Sequence, residues 1–128
     1  MNRRLATVAL LVRDYDEAVS WFVEKLGFRL LADDPQGDGR RWVVVGPESG
    51  AALLLARAAD EAQAAMIGRQ GGGRVFLFLE TDDFLRDHAG MVARGVEFRE
   101  EPRHEAYGTV AVFFDLCGNS WDLIQPRR

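Results

Sequence analysis

An arginine and an aspartate stand in segments that are otherwise apolar, and they are the residues in this chain best suited to recognition. Arg74 opens the run Arg74-Val75-Phe76-Leu77-Phe78-Leu79, and Asp122 lies in Ser120-Trp121-Asp122-Leu123-Ile124. Charges among apolar residues either pair with each other or meet a charged group on a ligand. In the second case Arg74 would take a carboxylate, phosphate or enolate, which its planar fork of N–H groups fits. Other side chains offer less. Cys117, the single cysteine, falls in a turn and reads as structural. His88 falls on a helical pattern. His104 and Glu105 sit beside Tyr107 in a polar segment that reads as a solvated loop, from which they could supply an acid or base at a cavity mouth. Asp14 and Asp82 stand at helix starts and read as caps.

The elements that must position these residues occur twice. Asp14, Gly27 and Gly50 recur 68 residues later as Asp82, Gly95 and Gly118. An interval this long marks two copies of one supersecondary unit. The first copy reads as a strand over 4–12, a helix from Asp14 to Leu26 stopped by Gly27, and strands over 28–32, 41–45 and 51–56. Residues 33–39, with three Asp, Pro and two Gly, read as a loop. The second copy reads as a strand over 74–80, a helix capped by Asp82 or Asp83, and strands over 97–100, 107–114 and 120–125. Residues 57–73 form a connector, with a short helix over 59–66 and a flexible Gly71-Gly72-Gly73 joint.

The predicted fold is therefore α+β: one domain over 1–128, made of a βαβββ module over 1–56, the connector, and a second βαβββ module over 74–128. One helix covers only one face of a four-stranded sheet. Two such sheets can join about a pseudo-twofold axis and enclose a cavity. Strict alternation puts Thr7, Ala9 and Leu11 on one strand face and Arg74, Phe76 and Phe78 on another.

Composition narrows the function classes. The chain has 128 residues, 48% of them hydrophobic, with three Trp and eight Phe to fill a core. Its net charge of −4 and scattered cations argue against a nucleic-acid partner. No apolar run approaches the about 20 residues that cross a bilayer, and a lone cysteine fits a cytoplasmic protein.

The segments Val12-Arg13-Asp14-Tyr15-Asp16-Glu17-Ala18, Lys25-Leu26-Gly27-Phe28, and Tyr107-Gly108-Thr109 through Phe114-Asp115-Leu116-Cys117-Gly118-Asn119-Ser120-Trp121-Asp122-Leu123 resemble the vicinal-oxygen-chelate superfamily of glyoxalases, bleomycin resistance proteins and extradiol dioxygenases. The resemblance implies a ligand cavity lined by Thr7, Trp42, Leu54, Arg74, Phe76, Phe78 and Asp122, with Ala52 and Ile124 beside them. It also implies four metal-ligand positions, which fall here on Thr7, Leu54, Arg74 and Asp122. Only Asp122 among them is a good ligand, so the expectation is no metal and no cofactor. The expected function is a bleomycin-resistance-like binder of a mid-sized organic ligand, with an anionic group for Arg74. The alternative is a glyoxalase-like lyase, isomerase or dioxygenase with an altered metal set. The resemblance also implies a homodimer.

Overall fold

The computed structural model describes residues 2–128. The chain divides into two compact units, the first ending at Ile67 and the second beginning at Gly68, inside the expected connector. The first unit contains β1 (Thr7–Val12), α1 (Tyr15–Leu26), β2 (Arg29–Gly37), β3 (Arg40–Gly46), β4 (Ala52–Arg57) and the short α2 (Glu61–Ala65). The second contains β5 (Val75–Glu80), α3 (Phe84–Ala93), β6 (Arg103–Glu105), β7 (Gly108–Phe114) and β8 (Ser120–Pro126). Each unit is a four-stranded mixed sheet, in the orders β1-β4-β3-β2 and β5-β8-β7-β6. The order of elements is the same in both, as the sequence repeat requires. Among the described residues no helix is long and apolar enough to cross a membrane.

Local signals explain the elements. The Asp14 carboxylate accepts the Glu17 amide at 2.7 Å and starts α1. Gly27 ends it at φ 72°, where only glycine is at ease. Two C-terminal bonds follow, Gly27 N–H to Val23 and Phe28 N–H to Phe22, and the rings of Phe22 and Phe28 stack 5.7 Å apart. In the second unit the Asp83 carboxylate caps α3 by accepting the Arg86 amide. The Gln125 side chain also accepts the Phe84 amide at 2.8 Å, which ties the helix start to β8.

The long helices α1 and α3 each cover one face of their sheet. In the first unit Leu10, Val12, Val43, Val45, Leu53 and Leu55 are buried with Ala18 and Phe22 of α1. In the second, Ala111, Phe113, Trp121 and Leu123 are buried with Phe84 and Met91 of α3. On the opposite faces Val44 of β3 and Val110 and Val112 of β7 are buried as well.

Three expectations are corrected. Residues 33–37 are not a loop: β2 continues through them, paired with β3 from Asp33↔Val43 to Gly37↔Arg40. An edge strand tolerates Pro35, whose missing N–H faces away from the ladder. Arg41 also clamps the segment, bonding both Asp33 carboxylate oxygens at 3.0 and 2.7 Å and pairing with Asp16 at 2.9 Å. Residues 97–100 are not a regular strand; they touch β7 at one bridge, Phe98↔Phe113, while the edge strand is β6, in the segment read as a loop around His104 and Glu105. The triglycine stretch is not an open linker. Gly72 donates to Arg69, Arg74 donates to Gly71, and a Cβ on Gly71 would stand 3.0 Å from that of Phe76.

Candidate functional site

The sheet faces opposite the long helices carry the candidate residues. In the first unit the parallel register pairs Thr7 with Ala52 and Ala9 with Leu54, and the antiparallel one pairs Val44 with Leu54. Alternation then sets Thr7, Ala9, Leu54 and Val44 opposite the buried Leu10, Leu53, Leu55 and Val43. Trp42 lies on the same face as Val44, and its side is 44% exposed. Thr7, Leu54 and Trp42 therefore share one apolar face.

The second unit departs from the expectation. A register shift between Val75 and Leu77 breaks the strict alternation that had put Arg74 and Phe76 in line with Phe78. Arg74 precedes β5, is exposed, and forms no ion pair among the described residues. The expected Arg74–Asp122 pair does not form. Phe76 is half-buried beside Gly71. Phe78 pairs in register with Asp122, and Asp122 with Val112. Ring and carboxyl therefore share the face opposite α3, where Phe78 on the edge strand is 66% exposed and Val112 on β7 is buried.

The turn between β7 and β8 fixes Asp122. The buried Asp115 carboxylate accepts the amides of Cys117 at 2.9 Å and Asn119 at 3.0 Å, the Asn119 side chain at 3.0 Å and the Trp121 indole at 2.9 Å. Trp121 is thereby held on the helix side, and period-two alternation sends Asp122 to the other side. Cys117 serves this turn through its backbone.

A charged cluster that the sequence did not reveal lies on the same face as Asp122. Arg103 bonds Glu100 through Nε at 2.8 Å and Glu105 through Nη1 at 2.7 Å. Glu100 also accepts the Val112 amide at 3.3 Å. Burial pushes the Asp122 carboxyl above the usual aspartate range; Arg103 and Arg99 oppose the shift and Glu100 adds to it. Glu100 is pushed up by burial too, but bonding and charge from Arg103, the Val112 amide and Arg99 outweigh this and hold it low. The signal available in sequence was the alternation of Arg103 and Glu105, in a segment too polar to read as a strand.

The remaining candidates sit elsewhere. His88 lies between Phe84 and Phe98, with ring centroids 5.4 and 4.5 Å away. His104 is exposed on β6, its Nδ1 3.3 Å from the Thr109 hydroxyl, beside a surface groove of about 310 Å³. The four implied metal positions do not fit a divalent ion: Leu54 has no donor atom, the Thr7 hydroxyl is a weak ligand, and Arg74 is a fixed cation. Among the described residues no group of three or more His, Cys, Asp or Glu side chains could hold a metal.

Known proteins share this arrangement. The family model described as Glyoxalase/Bleomycin resistance protein/Dioxygenase superfamily matches residues 4–123. An uncharacterized protein of Shewanella frigidimarina (strain NCIMB 400) is 52% identical, over 98% of this chain and 95% of its own length. The crystal structure of UcmS2 superposes with a TM-score of 0.83 at 30% identity, covering 97% of this chain and 98% of that one. That of TnmS3, an antibiotic binding protein from Streptomyces sp. CB03234, superposes with a TM-score of 0.78 at 31% identity, covering 99% and 98%. Two four-stranded units with one helix-covered face each, matched from residue 4 to residue 123, place this chain in the Glyoxalase/Bleomycin resistance protein/Dioxygenase superfamily.

Proposed function

We propose that this protein binds a mid-sized organic molecule of the antibiotic type against the sheet faces opposite the long helices and acts by holding it, without a divalent metal. The observation that carries this reading is that the sheet face opposite the long helix presents a large exposed aromatic side chain in each unit, Trp42 in the first and Phe78 in the second. An aromatic side chain with an exposed face is suited to packing against a ligand ring. Thr7, Leu54 and Trp42 supply contacts from the first unit, and Phe76, Phe78 and Asp122 from the second. Arg74, exposed and outside any ion pair among the described residues, is available to an anionic group of the ligand. The likeness to TnmS3 supports an antibiotic-class ligand. The protein is proposed to act in the cytoplasm as a homodimer, whose second chain covers apolar sheet surface.

A second reading, a glyoxalase-like enzyme with an altered metal set, draws on Asp122 alone. One experiment separates the two: metal analysis of the purified protein, then a thermal-shift screen of hydrophobic antibiotics, carboxylates and phosphates. Saturable stabilisation with the compound recovered unaltered supports the binder. A stoichiometric metal lost on Asp122→Ala, or conversion of the compound, overturns it in favour of the enzyme.

A further inference from the structure

We propose that Asp122 is the acceptor of a ligand subsite on the second unit, taking a hydrogen bond from an O–H or N–H group on an aromatic ligand whose ring lies against Phe78. The proposal rests on the small-molecule-binding reading and narrows its ligand class.

Asp122 Oδ1 is buried and has no hydrogen-bond partner. Buried acceptors in folded proteins are nearly always bonded, and an orphan of this kind asks for an explanation. The surrounding cations do not supply the missing donor, because they are committed to glutamates. Arg103 is engaged by Glu100 and Glu105, and the Nη2 of Arg99 lies 4.0 Å from Glu100. The Val112 amide, the nearest backbone donor in register, goes to Glu100 as well.

The vacant acceptor stands next to an aromatic platform. Phe78 and Asp122 are in direct register on adjacent parallel strands, which lie about 4.8 Å apart. The Phe78 ring is two-thirds exposed, whereas Trp121 and Leu123 on either side of Asp122 are buried. Asp122 as a whole is half-buried, so a ring lying on Phe78 has the Asp122 carboxyl beside it. An anionic substituent would face both Asp122 and Glu100, so this spot selects a donor.

The test uses 2-naphthol, which donates through its hydroxyl, and 2-methoxynaphthalene, which has the same ring and cannot donate. With the wild-type protein at neutral pH, 2-naphthol should bind about tenfold more tightly, the worth of one hydrogen bond to a charged acceptor. Asp122→Leu, checked for folding by circular dichroism, should abolish that preference while keeping the binding of 2-methoxynaphthalene. Phe78→Ala should weaken both probes together. Equal affinities in the wild type, or a preference that survives Asp122→Leu, overturns the acceptor role and leaves the broader binding reading standing. Failure of both probes to bind overturns the aromatic subsite, while the antibiotic screen still judges the broader reading on its own.

Discussion

Trp121 donates its indole N–H to the Asp115 carboxylate across 2.9 Å, and this bond holds β8 so that Asp122 faces away from α3. Asp115 is the hub of the turn, accepting also from Cys117 and Asn119. Asp115→Ala would leave several buried donors without an acceptor. The expected cost is about 3 kcal/mol or more, given the charged acceptor and the number of groups orphaned. Urea denaturation should reveal the loss, and near-ultraviolet circular dichroism should change as the Trp121 ring is released. A loss below about 1 kcal/mol would mean that the turn is held by other contacts.

Much of this was legible in the sequence where local chemistry decides structure. The cap at Asp14 and the stop at Gly27 rest on groups within a few residues of the backbone they satisfy; at α3 the cap is Asp83, the second of the two adjacent candidates, and Asp82 instead pairs with Arg86. The alternation of β1 and β4 also carried through, because no register shift interrupts either strand. What failed was decided at longer range. Pro35 reads as a loop residue until an edge strand with a free side is known to receive it. Arg74 was placed in line with Phe78 by strict alternation, which the shift between Val75 and Leu77 interrupts. The partners of Arg103 are nearby in sequence, yet their shared face with Asp122 follows only from pairing β6 to β7 and β7 to β8.

The connector docks by a backbone approach that requires glycine. Gly68 has φ of +77°, and a Cβ there would lie 2.1 Å from the carbonyl oxygen of Cys117. Gly72 has φ of +64° with nothing within 4 Å of the same construction. Gly72→Ala thus carries only backbone strain, about 1–2 kcal/mol. Gly68→Ala carries that strain and a clash with backbone that cannot rotate aside, so it should be the more destabilising of the two. Paired thermal melts test the order. Equal losses would show that the connector can leave the β7–β8 turn at little cost.

Arg74 should matter for binding and not for stability. It is exposed, and no ion pair holds it among the described residues. Arg74→Ala is expected to change the unfolding free energy by less than about 0.5 kcal/mol, the range of ordinary surface substitutions. An anionic compound that stabilises the wild type in the thermal-shift screen should stabilise the variant less, while a neutral one should act alike on both. A substantial loss of stability in the unliganded variant would restore the buried pair that the sequence had suggested.

The raised Asp122 carboxyl predicts an unusual dependence on pH. Burial disfavours its charged form in the folded chain, so its folded value lies above its unfolded one. Between those two values the folded state holds more protons, and stability falls as pH rises. The favourable contribution is complete below the unfolded value and is lost as pH rises through the folded value. Its charged neighbours are Arg99, Glu100 and Arg103, with Phe78 facing it from β5 and Val112 from β7. Glu100 acts in the opposite sense: held low in the folded chain, its contribution is present above the unfolded glutamate value and is lost as pH falls through the folded one. Both wild type and Asp122→Asn keep Glu100, so their difference reads the Asp122 titration together with its coupling to Glu100. At neutral pH the variant, free of the desolvated charge, should be the more stable by about 1 kcal/mol. On acidification toward the ordinary aspartate range, denaturation curves should bring the two together as wild-type Asp122 takes up its proton. A difference that stays constant from neutral pH to that range would mean that Asp122 titrates as an ordinary exposed carboxyl.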